Sequence, residues 1–293
     1  MLKTSKNKIS IITPVYNQVD FIEQTILSVI DQGYDNLEYI IIDGGSTDGT
    51  LDIIKAYESK ITKWISEPDT GMYNALNKGF ALSTGDIMAW INSDDILLPN
   101  ALNHMNRIMK DLPQVNWVQG LNSFIDLKGQ LIRTSYPKSF SLLKFLNKDY
   151  KWVQQESTFW RRSLWDAAGG MINDNLKLAG DFELWFRFSQ RDTLYTSSLP
   201  IGAWRKREGQ LSGTQMKNYK QEVNDSINNY KLSVEESVQL KKIQLLQKRV
   251  RFLRRFKVFN VHYFYNQITN LEHTKGTTID FNYSKKTFVI QEK

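Results

Sequence analysis

An α/β architecture, with a mostly parallel central sheet flanked by helices, is predicted by three features of this 293-residue chain. Short β-branched or apolar runs alternate with segments of helical spacing as far as Asp111. Each apolar run closes on a short polar turn, as strands of a sheet covered on both faces do. The polar residues of those turns then fall on one rim, beyond the carboxyl ends of the strands, where such sheets hold their ligands.

The first run, Ile9 to Thr13, ends at Pro14. Asp20 to Gln32 has helical spacing, with Ile22, Ile26, Val29 and Ile30 on one face and Asp20 as N-cap. Leu37 to Ile42 closes on Asp43-Gly44-Gly45-Ser46, and Thr50 to Tyr57 is helical through Leu51, Ile54 and Tyr57. Ile61 to Ile65 reads as a third strand, Met72 to Leu82 as a helix and Ile87 to Ile91 as a fourth strand. The rim then carries Pro14 to Asn17, Asp43 to Asp48, Glu67 to Gly71 and Asn92 to Asp95.

Beyond Asp111 the alternation loosens. Val115 to Phe124 and Leu131 to Tyr136 suggest a hairpin, Glu156 to Leu164 is aromatic and basic, and Gly180 opens a helix that runs to Ser189. Near Thr214 the character changes: from there to about Asn270 the chain lacks Pro and is rich in helix formers. Lys241 to Lys257 carries eight basic residues and no acidic one, with Ile243, Leu246, Val250 and Leu253 at helical spacing. These features divide the chain into a catalytic unit, 1–214, and a basic helical extension, 215–293, that ends in a β-like tail from Thr278 to Ile290.

Composition narrows the chemistry. With no Cys there is no disulfide frame, thiolate zinc site or cysteine nucleophile. No stretch approaches the ~18 apolar residues that cross a bilayer, and the first residues lack the apolar core of a signal peptide. A cytoplasmic protein, at most peripheral on the inner face of the membrane, is expected. The formal charge of +7 is concentrated after Lys241. That excess favours an anionic inner leaflet, with no nucleic acid expected as partner.

Asn92-Ser93-Asp94-Asp95, where the fourth apolar run breaks toward Leu98-Pro99, is the most informative segment. Two adjacent carboxylates at the mouth of a buried strand are costly to ionise together unless a cation neutralises them. A divalent cation held there would stabilise developing negative charge without any proton transfer.

The segments Thr13-Pro14-Val15-Tyr16-Asn17, Ile42 to Thr50, Ser66 to Gly79, Asn92 to Asp95 and Gly180-Asp181-Phe182-Glu183-Leu184-Trp185 together resemble the family 2 glycosyltransferases of the GT-A (Rossmann-like) fold. The likeness covers residues from about 8 to 213. It implies inverting transfer of a hexosyl or N-acetylhexosaminyl group from a nucleotide sugar, UDP- or dTDP-linked and UDP first, to a glycan or lipid-linked oligosaccharide in bacterial surface polysaccharide synthesis.

By that resemblance Asp95 is the direct ligand of Mg2+ or Mn2+, and Asp94 faces the donor or reaches the metal through water. Asp43, an acceptor-only carboxylate, meets a donor N–H on the base, which uracil N3 and guanine N1 both offer. Pro14, Tyr16 and Asn17 frame base and ribose, and Asp69 lies near the nucleotide. Leu76 stands where relatives carry an arginine, which leaves Lys78 for the diphosphate.

Asp181 matches the family's general base, which takes the proton of the attacking hydroxyl. The helix N-terminus makes a carboxylate a poorer base, and burial beside Phe182 and Trp185 offsets this. The segment Trp204 to Ser212 resembles the loop that closes over the diphosphate. There Arg207 stands in place of a metal-binding His, so Arg205 and Arg207 are expected to neutralise the diphosphate directly. Trp152, Trp160 and Trp165, with Gln154, Gln155 and Glu156, border the acceptor in relatives. The alternative reading is a sugar-nucleotide-binding protein without turnover.

Overall fold

The computed structural model describes residues 6–149, 153–207, 215–256, 261–272 and 276–291. Its N-terminal half alternates as expected: β1 (Ile9–Val15), α1 (Ile22–Ile30), β2 (Leu37–Asp43), α2 (Thr50–Ala56), β3 (Lys63–Ser66), α3 (Met72–Leu82) and β4 (Ile87–Trp90). Every residue of β1 and β4 is buried, as strands covered on both faces require.

Two local expectations are corrected. Asp20 does not cap α1; the cap position is Phe21, and the chain enters through the Phe21 and Ile22 N–H groups, which donate to Gln18 O at 3.0 and 2.9 Å. The third strand starts at Lys63, not Ile61, because a 3-10 turn over Glu58–Lys60 intervenes and turns Ile61 inward.

The chain continues through β5 (Ile96–Leu97), α4 (Ala101–Asp111), β6 (Trp117–Ile125), β7 (Leu131–Ser135), α5 (Leu142–Leu146), β8 (Thr158–Arg161), α6 (Arg162–Ala167), α7 (Gly180–Ser189) and β9 (Tyr195–Arg205). It ends with α8 (Met216–Asn228), α9 (Val234–Arg255), α10 (His262–Leu271), β10 (Thr278–Asn282) and β11 (Thr287–Gln291). The described strands form one sheet in the order β11-β10-β9-β6-β8-β4-β1-β2-β3, with β5 paired to β9 and β7 to β6.

The parallel arrangement holds across β4, β1, β2 and β3. Beyond β4 the sheet is mixed, since β8 runs antiparallel to both β4 and β6. The predicted hairpin is β6–β7, and the predicted tail is the β10–β11 hairpin, which joins the sheet alongside β9. Thr214, where the two units divide in the sequence, lies outside the described residues.

α9 begins seven residues before the basic run. Ser233 Oγ accepts from Glu236 N at 3.1 Å and Glu236 Oε2 accepts from Ser233 N at 2.7 Å, a reciprocal cap that starts the helix at Val234.

Candidate active site

The four parallel strands deliver their carboxyl ends to one edge of the sheet. Val15 is level with Asp43, Asp43 with Ser66, and Ile12 with Trp90, so the loops carrying Tyr16, Asp43, Asp69 and Asp94-Asp95 leave from the same rim.

The Asp94-Asp95 turn is held from two sides. Thr25 Oγ1 on α1 donates to Ser93 O at 3.0 Å and Asp95 O at 2.7 Å. From β9, Arg205 N donates to Asp95 Oδ1 at 2.8 Å and Arg205 Nε to Asp94 O at 2.6 Å. The rest of the Arg205 guanidinium donates to Asp126 O, Leu127 O and Gln24 Oε1 at 2.8 to 3.0 Å. Arg205 is fully buried. Its donors bind the acidic turn, the β6–β7 turn and α1 together. Its neighbour Arg207 is half-buried, and its Nε donates to Asp94 Oδ2 at 2.7 Å.

Asp95 is almost fully buried, and burial, followed by the nearby charges of Glu156 and Asp94, pushes its carboxyl well above the usual range. Glu156 sits on a 3-10 turn, Gln155–Ser157, just before β8. It is buried too, and burial together with the charges of Asp94 and Asp181 pushes it up. Glu156 Oε1, Gln155 Oε1 and Asn92 Oδ1 have no hydrogen-bond partner among the described residues. Buried acceptors without donors, beside two crowded carboxylates, suit a hard divalent cation. Among the described residues no group of three His, Asp or Glu side chains is arranged to hold a metal. Asp94 and Asp95 fit the sparse set that magnesium takes when substrate phosphates complete its shell.

Asp181 lies in the first turn of α7, and its Oδ1 accepts from Phe182 N at 2.7 Å. Burial outweighs that bond and the helix N-terminus, and with a smaller contribution from the Glu222 charge raises the carboxyl to about 6. The approach to α7 is tied down by α8. Glu222 accepts from Lys177 N at 3.1 Å, Leu178 N at 2.9 Å and Ala179 N at 2.8 Å. From α3, Tyr73 OH donates to Leu178 O at 2.9 Å. Gly180 permits this contact, since a Cβ there would lie 2.7 Å from the Tyr73 ring. The charges of Asp94 and Asp181 both act on the Glu156 carboxyl, so the acidic turn and the start of α7 are each near it.

The nucleoside-side residues divide. Asp43 is fully buried; its carboxylate accepts from Gly45 N at 3.2 Å, Ser46 N at 3.1 Å, Ser66 Oγ at 2.6 Å and, very closely, Ser46 Oγ. This carboxylate shapes its own turn at the strand end where the expected base contact falls. Pro14 is buried within β1, level with Ile42, and so shapes the strand end from below.

Tyr16 is 60% exposed on the rim. Asn17, at a φ of 49°, braces the loop: its N donates to Ser46 Oγ at 2.8 Å and its Oδ1 accepts from Thr47 N at 2.9 Å. Asp69 is half-buried, its Oδ1 accepting from Gly71 N at 2.8 Å and its Oδ2 packed on Gly44, where a Cβ would approach to 2.7 Å. Lys78 Nζ pairs with Glu67 Oε1 at 2.7 Å at the end of β3.

The acceptor-side tryptophans are mostly core. Trp160 and Trp165 are buried with Trp90, Trp117, Trp185 and Phe188, and Trp90 stacks on Trp185 at 5.4 Å. Gln154 spends its amide on Ser123 N and O of β6. Trp152 and the loop from Glu208 to Ser212 lie outside the described residues. Glu222 and Tyr73 were not legible as site residues, because only the tertiary fold brings them to Asp181.

The chain belongs to glycosyl transferase family 2, whose sequence model matches residues 10–163. Over 94 residues it is 44% identical to TuaG of Bacillus subtilis, named as a teichuronic acid biosynthesis glycosyltransferase, a match covering 31% of this chain and 37% of TuaG. Its fold superposes on S. aureus TarS 1-349 in complex with UDP-GlcNAc with a TM-score of 0.63 at 15% identity, covering 98% of this chain and 97% of that one. It also superposes on a mannosyltransferase from Pyrobaculum calidifontis in complex with GDP-Man and Mn2+, at a TM-score of 0.60 and 15% identity, covering 92% of this chain and 86% of that one. The architecture is the GT-A glycosyltransferase fold.

Proposed function

We propose that this glycosyltransferase moves a hexosyl or N-acetylhexosaminyl group from a UDP-sugar to a hydroxyl of a glycan or lipid-linked glycan, with inversion, in bacterial surface polysaccharide assembly. The observation that carries the reading is the Asp94-Asp95 turn on the rim where the parallel strands end, with Asp94 and Asp181 both near enough to Glu156 for their charges to act on it. TarS holds UDP-GlcNAc and the Pyrobaculum mannosyltransferase GDP-Man on the same fold, which supports a nucleotide-sugar donor; the uridine assignment rests on the resemblance of the motifs.

Asp95, with Asp94, would hold Mg2+ or Mn2+, which when bound neutralises the charge that gathers on the departing diphosphate. Tyr16 offers the nucleoside a stacking face, and Asp69 and Asn17 line the same rim. Arg207 and Lys78 each sit in an exposed or half-exposed ion pair and exchange it for diphosphate oxygens. On the opposite side Asp181 accepts the proton of the acceptor hydroxyl. The hydroxyl oxygen bonds to the anomeric carbon while the bond from that carbon to the diphosphate breaks, its electron pair leaving with the phosphate.

The transfer chemistry resides in residues 1–214. The extension, 215–293, brings the enzyme to the anionic inner face of the cytoplasmic membrane through Lys241 to Lys257. Among the described residues no helix is long and apolar enough to cross a bilayer.

A thermal-shift panel of UDP-, GDP- and dTDP-sugars, with and without Mn2+, tests the donor assignment. Stabilisation by UDP-sugars that grows with Mn2+ is the expected result. Equal response to all nucleotides, or none to any, overturns it.

A further inference from the structure

α9 has two apolar faces. The inward one is Ile243 and Val250, both buried, with Leu246 and Leu253 half-buried beside them. These are the residues whose spacing marks the helix as amphipathic in the sequence, and they face the protein's own core. On the opposite side Val234, Val238, Leu245, Phe252 and Phe256 are all exposed. At about 3.6 residues per turn they fall within roughly 40° of one another.

Phe252 and Phe256 are each 63% exposed, with ring centroids 4.8 Å apart. By the same periodicity Lys241, Lys248 and Arg255 flank this stripe on one side and Lys242 and Arg249 on the other, all exposed. Lys248, Arg249, Phe252 and Leu253 also join Phe264 of α10 in lining a hollow of about 560 Å³.

We infer that the outward face of α9 is a lipid-docking surface, seated on an anionic bilayer with Phe252 and Phe256 at the boundary between headgroups and acyl chains. The composition is that of an interfacial helix: an apolar stripe with aromatic rings, bordered by cations at the height of the phosphates. A second copy of the chain is a poor occupant, because a two-fold contact would set five cations against five. Nucleic acid would meet the cations but leave Val238 and Leu245 unburied. The inference deepens the membrane placement proposed above and is independent of the transfer chemistry.

Co-sedimentation of the full chain with phosphatidylcholine vesicles, with or without one-third phosphatidylglycerol, tests it. The wild type is expected to bind the anionic vesicles, and Phe252→Ser/Phe256→Ser to lose at least tenfold in partitioning while its hydrolysis of soluble donor is unchanged. A control, Leu127→Ser/Leu131→Ser, removes equally exposed apolar side chains from the β6–β7 hairpin and is expected to bind as wild type does. No binding by the wild type overturns the membrane placement and the inference together. Undiminished binding by the Phe pair variant, tighter binding to a DNA oligonucleotide than to vesicles, or a wild-type dimer that this variant dissociates overturns the inference alone.

Discussion

Arg207 donates from Nε to Asp94 Oδ2 at 2.7 Å, so a fixed guanidinium occupies the flank of the acidic turn on which a divalent cation would settle. An arginine cannot ligate a metal, and a divalent cation held at Asp94 as proposed would compete with it for that carboxylate. Donor binding resolves the competition if the guanidinium turns from Asp94 to the diphosphate.

Removing that competitor separates the two effects. Arg207→Ala is expected to bind Mn2+ alone several-fold more tightly than wild type in titration calorimetry, yet to turn over donor more slowly. Unchanged metal affinity would show that the ion pair and the metal do not share Asp94.

Asp95→Ala is expected to lower transfer by at least about a hundredfold, the scale of losing one preorganised electrostatic partner. Product formation at saturating Mn2+ and donor reads this directly.

Arg205 has a structural prediction. Arg205→Met leaves Asp94 O, Asp126 O, Leu127 O and Gln24 Oε1 without its buried donors and is expected to cost about 3–5 kcal/mol in denaturant unfolding. A loss no larger than that of an ordinary surface substitution would contradict the clamp.

Buried carboxyls give a pH signature of definite sign. Glu156 is raised in the folded state, so its contribution to stability is complete below the ordinary carboxylate range and is lost as pH rises toward its folded value. Glu156→Gln cannot ionise. Its melting temperature is expected to gain on wild type progressively from pH 5 to pH 8, and a pH-independent difference would contradict this.

Much of the fold was legible because the N-terminal half obeys local rules. Met72–Leu82, which lies between Gly71 and Ser83, and Gly180–Ser189 are both legible at their observed limits. The strand at Lys63 was misplaced because Ile61 is apolar for packing, not for pairing. At the site, the acidic turn announced itself through two adjacent carboxylates in an apolar setting. The bonds that Asp43 and Arg205 make to the protein's own turns were not legible, because residue type says nothing of which donors and acceptors the fold engages. Glu222 was invisible, being one acid in a charged helix until the fold sets it 2.8 Å from Ala179 N. The face of α9 was likewise hidden: the spacing of Ile243 and Val250 revealed an amphipathic helix but not which side the protein itself would cover.

The central claim is that Asp181 removes the acceptor proton while the rest of the rim holds the donor. Steady-state transfer by Asp181→Asn, set beside its affinity for UDP-sugar in calorimetry, tests it most directly. The account predicts donor affinity within a few-fold of wild type and transfer lower by at least about a thousandfold, within the range typical of general-base loss. Transfer by Asp181→Asn at the wild-type rate would contradict it.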